Sequence, residues 1–421
     1  MGKASSTNKL KIINDPVYGF IKIPYDIVYD LIEHPLIQRL RRIRQLGLTS
    51  YVYPGANHTR FQHAVGAMHL MGQAIEVIRS RGHEITDDEA RAVSITILLH
   101  DIGHGPFSHS LENSLIRNTS HESISLMFME QLNDEFGGKL EKAIRIFKNE
   151  YPKRFLHQLV SSQLDMDRLD YLKRDSFFTG VTEGVIGSDR IIKMLNVVDD
   201  QLVVDEKGIY SIEKFLIARR LMYWQVYLHR AVVSSEQLLV MMLKRAQKLV
   251  ADGQDLFATP ALAFFLDDSP GKFEQANQKL FLEQFALLDD NDILASAKVW
   301  CMHSDKVLSV LSAGLVNRDL FRVQLNKSPF EDKMVETLRK EVAQHLDISE
   351  QEACYLVVSD SVSNYAYSDM DDRISILDKS GRIKDIAEAS DMLNIAVLSK
   401  TVRKYFLCYP RFLKEIVDLN I

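Results

Sequence analysis

Apolar residues recur through most of this chain at the three-and-four spacing of helices, and in a few stretches they alternate with polar residues as strands do. The segment TRFQHAVGAMHLMGQAIEVI sets Phe61, Val65, Met68, Met71, Ile75 and Ile78 on one side, which predicts an amphipathic helix. TDDEARAVSITILLHDIGHGP opens with acidic capping residues, aligns Ile95, Leu98, Leu99 and Ile102, and stops at the Gly and Pro of residues 103–106, which predicts another. Residues 156–175 and 211–250 read as two further long helices. LKIINDPVYGFIKIP, around an Asn-Asp-Pro turn, and LNVVDDQLVVDEKG, with Asp199-Asp200 at its turn, both read as β-hairpins. Near residue 330 the character changes: CYLVVSDSVSNYAY and RISILDKSGRIKDI are strand-like, and a helix is expected over 390–407.

The pattern predicts a mainly α fold with short β-hairpins: a disordered polar tail over 1–9, a helical core with an N-terminal hairpin over 10–328, and a smaller C-terminal α+β lobe over 329–421. With 421 residues, 46% of them apolar, the chain can bury a large core. No window approaches the roughly 18 uncharged apolar residues of a membrane span, and MGKASSTNK lacks the apolar stretch of a signal peptide, so the expectation is a soluble cytoplasmic protein. Cys301, Cys354 and Cys408 lie far apart, which suggests neither disulfides nor a thiolate metal site. A formal net charge of −6 argues against a broad basic surface for nucleic acid while leaving room for one local positive pocket.

The unusual chemistry sits at HDIGHGPFSH, residues 100–109, where an apolar helix ends in three histidines and an aspartate. Imidazole and carboxylate together suit Mn, Fe, Co, Ni or Zn. If the helix runs on, His100 and His104 share a face. RFQH adds Arg60 and His63, three apart, and QLDMDRLDYLKRD crowds Asp165, Asp167, Asp170 and Asp175 beside Arg168, Tyr171 and Lys173. Taken singly, each is commonplace: a lone histidine is usually a satisfied structural residue, and an acid-rich helix is usually a solvated face. Taken in order, on apolar helices, they point to a metal, because a buried carboxylate without a cation is costly.

The series RFQH, HDIGHGPFSH, SHES and DMDRLDYLKRD resembles the HD-domain phosphohydrolases, and within them the deoxynucleoside triphosphate (dNTP) triphosphohydrolases, including the animal branch whose members carry a SAM domain. The resemblance runs from INDPVYGFIKIP to about residue 325 and implies an HD-domain helical core. It implies that His63, His100, Asp101 and Asp167 bind one divalent ion (Mn, Mg, Fe, Zn, Co or Ni), and that His104, His121 and Glu122 are catalytic. The expected reaction releases a deoxynucleoside and intact triphosphate. Gln45, Arg60, His109, Arg168, Tyr171, Asp175 and His229 match substrate-pocket positions: Arg60 and Arg168 at the phosphates, Gln45 and Asp175 at the sugar 3′-hydroxyl, Tyr171 against the sugar. The chain departs from the animal branch at Gln225, where that branch has arginine, and at Val233, where it has tyrosine.

By the same resemblance, Lys11, Asn14, Glu33, Gln38, Arg41, Arg318 and Arg322 match a site for a GTP or dGTP activator between subunits of a homo-oligomer, a dimer or tetramer, with Glu33 replacing an aspartate. Two other readings stay open: a metal-dependent phosphodiesterase or phosphatase acting on another nucleotide, and a nucleotide-binding regulator without turnover.

Overall fold

The computed structural model describes residues 11–107, 114–116, 119–267, 277–364, 373–391 and 402–413; the tail expected over residues 1–9 lies outside them. The first alternating stretch pairs with itself, β1 (Ile12–Asp15) against β2 (Gly19–Lys22), antiparallel with Asp15 opposite Gly19. The Asp15 carboxylate makes the turn by accepting from the backbone N–H groups of Val17 (2.9 Å) and Tyr18 (3.0 Å). Helices α1 (Asp26–Glu33) and α2 (Pro35–Gln38) follow, then a short 3₁₀ turn at Arg39–Arg42.

The two helices expected from residues 59–99 form as α3 (Arg60–Ser80) and α4 (Asp87–Leu99). Each opens on a capping box, Thr59 with Gln62 and Thr86 with Glu89. Next come α5 (His121–Glu135), α6 (Glu141–Phe147), α7 (Arg154–Gln158) and α8 (Met166–Thr179). The single helix expected over 156–175 is therefore two, α7 and α8. Asp165 divides them: its carboxylate accepts from the backbone N–H groups of Ser162 (2.8 Å) and Arg168 (2.7 Å), capping a new helix and fixing the loop before it. Helix α3 packs tightly on α8 because Gly66 has no side chain. A Cβ there would stand 2.1 Å from Asp170 Oδ1 and 2.2 Å from Arg174 Nη2.

Beyond α9 (Ser188–Lys193), the second hairpin forms as expected from β3 (Leu195–Val198) and β4 (Gln201–Asp205). Asp199 and Asp200 both have positive φ, +49° and +58°, as a tight two-residue hairpin turn demands. The helix expected over 211–250 is also interrupted: α10 (Ile209–Met222) runs into a π-helical turn at Tyr223–Tyr227, and α11 (Arg230–Ala251) restarts with His229 as its cap. The remaining helices of the core are α12 (Pro260–Leu266), α13 (Gln278–Leu287), α14 (Asp290–Trp300) and α15 (Lys306–Val316).

The C-terminal segment contributes β5 (Arg322–Asn326), α16 (Asp332–Leu346), α17 (Glu350–Ala353), β6 (Val358–Asn364), β7 (Ser375–Leu377), β8 (Ile383–Asp385), α18 (Ile386–Ala389) and β9 (Val402–Tyr409). One sheet has the order β3-β4-β7-β8, the other β5-β9-β6, so both join strands from either side of residue 328. The helix expected over 390–407 is corrected where it is described. Residues 402–407 lie in β9, the central strand of its sheet, paired with both β5 and β6 and burying Phe406 and Cys408 against Val233 and Val323. Residues 392–401 lie outside the described residues. One large apolar cluster runs from Ile21 to Leu413 through the helical layers. No helix of the described residues is long and apolar enough to cross a membrane. Replacing Gly66 with alanine is expected to push α3 off α8 and destabilise the fold by about 1–3 kcal/mol, read as a lowered thermal unfolding midpoint.

Candidate metal centre and active site

Three helices bring their chemistry to one point. His63 lies in the first turn of α3, His100 and Asp101 follow the last residue of α4, and Asp167 lies in the first turn of α8. His63 Nε2 is 3.1 Å from Asp167 Oδ1 and 3.8 Å from Asp101 Oδ2, while His100 Nε2 is 3.3 Å from Asp101 Oδ1 and 3.6 Å from Asp167 Oδ1. His63, His100 and Asp101 offer ligand atoms within 4.8 Å of one another. Both imidazoles are oriented from behind: His63 Nδ1 faces Asp170 Oδ2 at 2.7 Å, and His100 Nδ1 faces the Ile97 carbonyl at 2.6 Å. With those nitrogens donating, each Nε2 presents a lone pair to the centre, and neither Nε2 has a hydrogen-bond partner among the described residues.

The donor set fits a divalent ion. Burial opposes a charge on His63, yet the nearby carboxylates of Asp167 and Asp170 outweigh it and push the imidazole up to about 10. His100 is raised likewise, against burial, by Asp101 and Asp167. Although burial disfavours its charge, Asp167 is held far below the usual carboxylate range by His100 and His63. The cluster therefore favours positive charge at its centre, which a cation on the two Nε2 atoms would supply in place of protons.

Helix α4 stops at Leu99, so His104 reaches the site from a loop and not from a shared helical face. Gly103 lets that loop touch α5: a Cβ would stand 2.3 Å from both the His121 carbonyl and the Ser125 nitrogen. Its N–H donates to Ser125 Oγ (2.9 Å), which donates to the His100 carbonyl (2.8 Å). From the other side the buried Arg39 guanidinium donates to the carbonyls of Ile102 (3.3 Å), His104 (2.9 Å) and Leu288 (3.0 Å). Burial pulls Arg39 down to about 9, with Asp289 opposing. The last described residue of the loop is Phe107, whose φ of +51° is left-handed and whose N–H donates to Asp290 (3.3 Å).

Held this way, His104 stacks on His121 with ring centroids 3.9 Å apart and puts Nε2 3.4 Å from Asp101 Oδ1. Burial and the Arg60 charge bring His104 down to about 3. His121 Nε2 lies 3.3 Å from Glu122 Oε1, and Arg60 Nη1 lies 2.5 Å from Asp101 Oδ2. His109 lies outside the described residues.

Along α8, Arg168 pairs with the buried Asp165, and Tyr171 faces the Tyr223 and Tyr227 side of the π turn, 6.4 Å from the Tyr227 ring. Asp175 is buried, with His58 Nε2 at 2.8 Å from one carboxylate oxygen and the Tyr227 hydroxyl donating to the other at 2.7 Å. The Gln45 N–H donates to the His58 carbonyl (3.0 Å), and Gln45 Oε1 is buried with no partner among the described residues. His229 Nδ1 accepts from the Ala231 N–H at 3.2 Å, which makes it the cap of α11 as well as a neighbour of Tyr53. Gln225 donates to Glu183 (3.5 Å), and Val233 packs in the small C-terminal apolar cluster. Lys173 stands 3.7 Å from Asp189 and over the Tyr18 ring.

The residues matched to an activator site form two groups. Lys11 lies over the Tyr29 ring, Asn14 pairs with Phe20 in the hairpin, Glu33 ends α1, Gln38 donates to the Ile32 carbonyl (2.8 Å), and Arg41 donates to Gln38 (2.8 Å) over the Phe61 ring. Arg318 donates to the Tyr51 carbonyl (2.8 Å), and Arg322 opens β5. No hydrogen bond or ion pair among the described residues joins the two groups. Sequence reasoning did not single out His58, Arg39 or Arg174, and read Tyr227 at its helical spacing as a core or interface residue. Arg174 stands within QLDMDRLDYLKRD and His58 two residues before RFQH, yet nothing local in either stretch marks them.

Two family models match the chain: the HD domain over residues 60–175 and the HD associated region over residues 186–269. A phosphohydrolase from Bacteroides thetaiotaomicron, solved by crystallography, is 58% identical with a TM-score of 0.91, covering 95% of this chain and 100% of that one. The uncharacterized YwfO protein of Bacillus subtilis is 31% identical over 418 residues, 95% of this chain and 92% of its own. The deoxynucleoside triphosphate triphosphohydrolase SAMHD1 homolog of Dictyostelium discoideum is 33% identical over 251 residues, and human SAMHD1 is 29% identical over 265. The matches cover 55% and 52% of this chain, and the chain spans about half the length or less of those two enzymes, 48% and 42%. With His63, His100 and Asp101 gathered inside the matched region as a cluster that could hold a metal ion, the chain belongs to the HD-domain phosphohydrolase superfamily, as a metal-dependent phosphohydrolase with dNTP triphosphohydrolases among its relatives.

Proposed function

We propose that this protein is a dNTP triphosphohydrolase that cleaves dNTP to deoxynucleoside and triphosphate. The observation that carries the reading is the stacked His104–His121 pair beside a two-histidine, two-aspartate centre, with Arg60 and Arg168 at its edge. His63, His100, Asp101 and Asp167 would hold the ion. When bound, a divalent metal polarises phosphoryl oxygens and lowers the pKa of water.

The rest of the work falls to side chains. A departing 5′-oxygen needs a proton, and His121 is placed to give one, with Glu122 beside it to hold the charged form. His104, stacked beneath and held neutral by burial and Arg60, orients its partner and accepts a hydrogen bond or donates one at the same oxygen. Arg60 and Arg168 stand where charge gathers on the phosphates, each steadied by a buried aspartate. Gln45 Oε1, a buried acceptor with no protein donor among the described residues, suits the sugar 3′-hydroxyl, and Tyr171 packs against the sugar. His109 and His229 complete the pocket in this reading. Lys11, Asn14, Glu33, Gln38 and Arg41 on one subunit, with Arg318 and Arg322 on another, would take a guanine nucleotide and join copies of the chain into an oligomer.

A second reading is favoured by Gln225, a neutral side chain turned toward Glu183, which leaves one cation fewer for a triphosphate. That reading is a metal-dependent phosphatase or phosphodiesterase on another nucleotide. Incubating the metal-loaded protein with each of the four dNTPs, with and without GTP, is expected to give deoxynucleoside and tripolyphosphate in equal amounts by ion chromatography. Monophosphate or inorganic phosphate would support the second reading. Size-exclusion chromatography with GTP or dGTP is expected to show a larger species along with a faster rate; no change in either removes the activator from the proposal. His63→Ala and Asp167→Ala are expected to lose both bound metal and hydrolysis, whereas Asp170→Asn, acting behind His63, should weaken metal affinity roughly 10- to 100-fold, read by metal titration against a competing chelator.

A further inference from the structure

The first strand of the N-terminal hairpin ends on a buried acid whose two oxygens serve different parts of the molecule. Asp15 Oδ1 makes the turn between β1 and β2 by accepting from the backbone N–H groups of Val17 (2.9 Å) and Tyr18 (3.0 Å). Oδ2 leaves the hairpin and accepts from Arg174 Nη1 on α8 at 2.7 Å. The Asp15 side chain is 4% exposed, and those of Arg174 and Asp170 are wholly buried. A turn needs only the first of these oxygens.

Arg174 divides its donors between two acids. Nε and Nη2 grip Asp170 side by side, at 3.0 Å to Oδ2 and 3.1 Å to Oδ1, while Nη1 goes to Asp15. Asp170 Oδ2 also faces His63 Nδ1 at 2.7 Å, and the other nitrogen of that ring, Nε2, stands 3.1 Å from Asp167 Oδ1 in the candidate metal centre. From that centre outward the charges alternate in sign: the expected cation, Asp170, Arg174, Asp15. Little water can come between them. The backbone of α3 at Gly66 closes on the Asp170–Arg174 pair, and the Tyr18 ring lies 5.5 Å from the Arg174 guanidinium with its hydroxyl buried. In so dry a place a charge is felt across several bonds.

With Asp15 ionised, the pull of Arg174 is shared, so Asp170 keeps electron density for the His63 N–H and Nε2 is the stronger donor to a metal. With Asp15 neutral, Arg174 belongs to Asp170 alone, the bond to His63 weakens, and a poorly compensated cation is left behind the site. Both changes disfavour a bound ion.

We propose that Asp15 is a positioning residue of the metal centre, acting through Arg174 and Asp170 on His63, and that the N-terminal hairpin and the bound ion stabilise each other. The proposal rests on the assignment of His63 as a metal ligand. Such coupling is reciprocal: the factor by which the docked hairpin raises metal affinity is the factor by which the ion favours docking. Lys11 precedes this strand and Asn14 is the neighbour of Asp15, so the outer part of the hairpin responds to whether the metal centre is filled.

The test uses Mn²⁺ alone with the full chain. Its dissociation constant is measured by competition with a chelator, and amide hydrogen exchange is followed over residues 12–22 with the ion present and removed, against the β3–β4 hairpin as reference. Asp15→Asn is expected to weaken Mn²⁺ binding roughly tenfold, the lower end of what an outer-shell partner does. Without the ion, wild-type amides of the first hairpin should exchange roughly tenfold faster relative to the reference, and in Asp15→Asn this response should disappear. Glu89→Gln, which breaks a buried ion pair with Lys153 at the start of α4, should lower the unfolding midpoint and leave the Mn²⁺ constant unchanged. The proposal is overturned if Asp15→Asn binds Mn²⁺ as the wild type does, if Glu89→Gln weakens binding equally, or if the first hairpin responds to the ion no more than the reference. Should Asp15→Asn fail to fold, the wild-type exchange measurement decides alone. His63→Ala with undiminished Mn²⁺ affinity overturns the metal assignment and the proposal with it, whereas loss of binding in His63→Ala but not in Asp15→Asn overturns the proposal alone.

Discussion

Buried carboxylates govern the centre of this molecule, because an ionised acid withdrawn from water must find positive charge or hydrogen-bond donors close by. Asp101, Asp165, Asp170 and Asp175 are all buried, and each is answered differently. Arg60 reaches Asp101, Arg168 turns back on Asp165, Arg174 and His63 share Asp170, and His58 with Tyr227 encloses Asp175. Asp167 alone among the acids of α8 that line the centre keeps about a quarter of its side chain open (26%), and it is the one that turns to the two free imidazole nitrogens. The spacing of charges along one helix thereby separates the enclosed acids from the one that faces the two imidazoles.

That network also ties distant parts of the chain to the metal centre. Arg174, held between Asp170 (3.0 Å) and Asp15 (2.7 Å), links the N-terminal hairpin to the back of His63. The close approach permitted by Gly66 is what brings α3 and α8 near enough for these bonds. Backbone shape, in the form of a missing side chain, and electrostatics, in the form of a shared carboxylate, act here on the same pair of helices.

Much of this was legible in the sequence. Long periodic segments with capping boxes, α3 and α4, formed where expected, as did both hairpins, because their signals are local. The convergence of His63, His100 and Asp101, with Asp167 beside them, was legible for another reason: these residues sit in motifs whose order carried the family resemblance. Breaks inside apolar stretches were not. Asp165 ends one helix and caps the next through bonds that look in sequence like one more acid in an acidic run, and the π turn at Tyr223–Tyr227 is fixed by Tyr53 from far along the chain. Strand β9 was misread as helix because its identity comes from two partners, β5 and β6, lying about 80 and 40 residues earlier. Arg39 escaped notice because it sits in a run of arginines, QRLRRIR, and nothing local marks the one that turns inward.

Arg39 also bears on how the chain becomes competent. Every side chain of the metal cluster has been synthesised once residue 167 has emerged, yet one of the three carbonyls that receive the Arg39 guanidinium belongs to Leu288. A cation so deeply placed stays uncomfortable until its last acceptor arrives, so the histidine loop settles only when the segment ahead of α14 has docked. The loop that carries His104 is thus held from a segment far later in the chain, whereas the neighbouring cluster draws its side chains from residues 63–167.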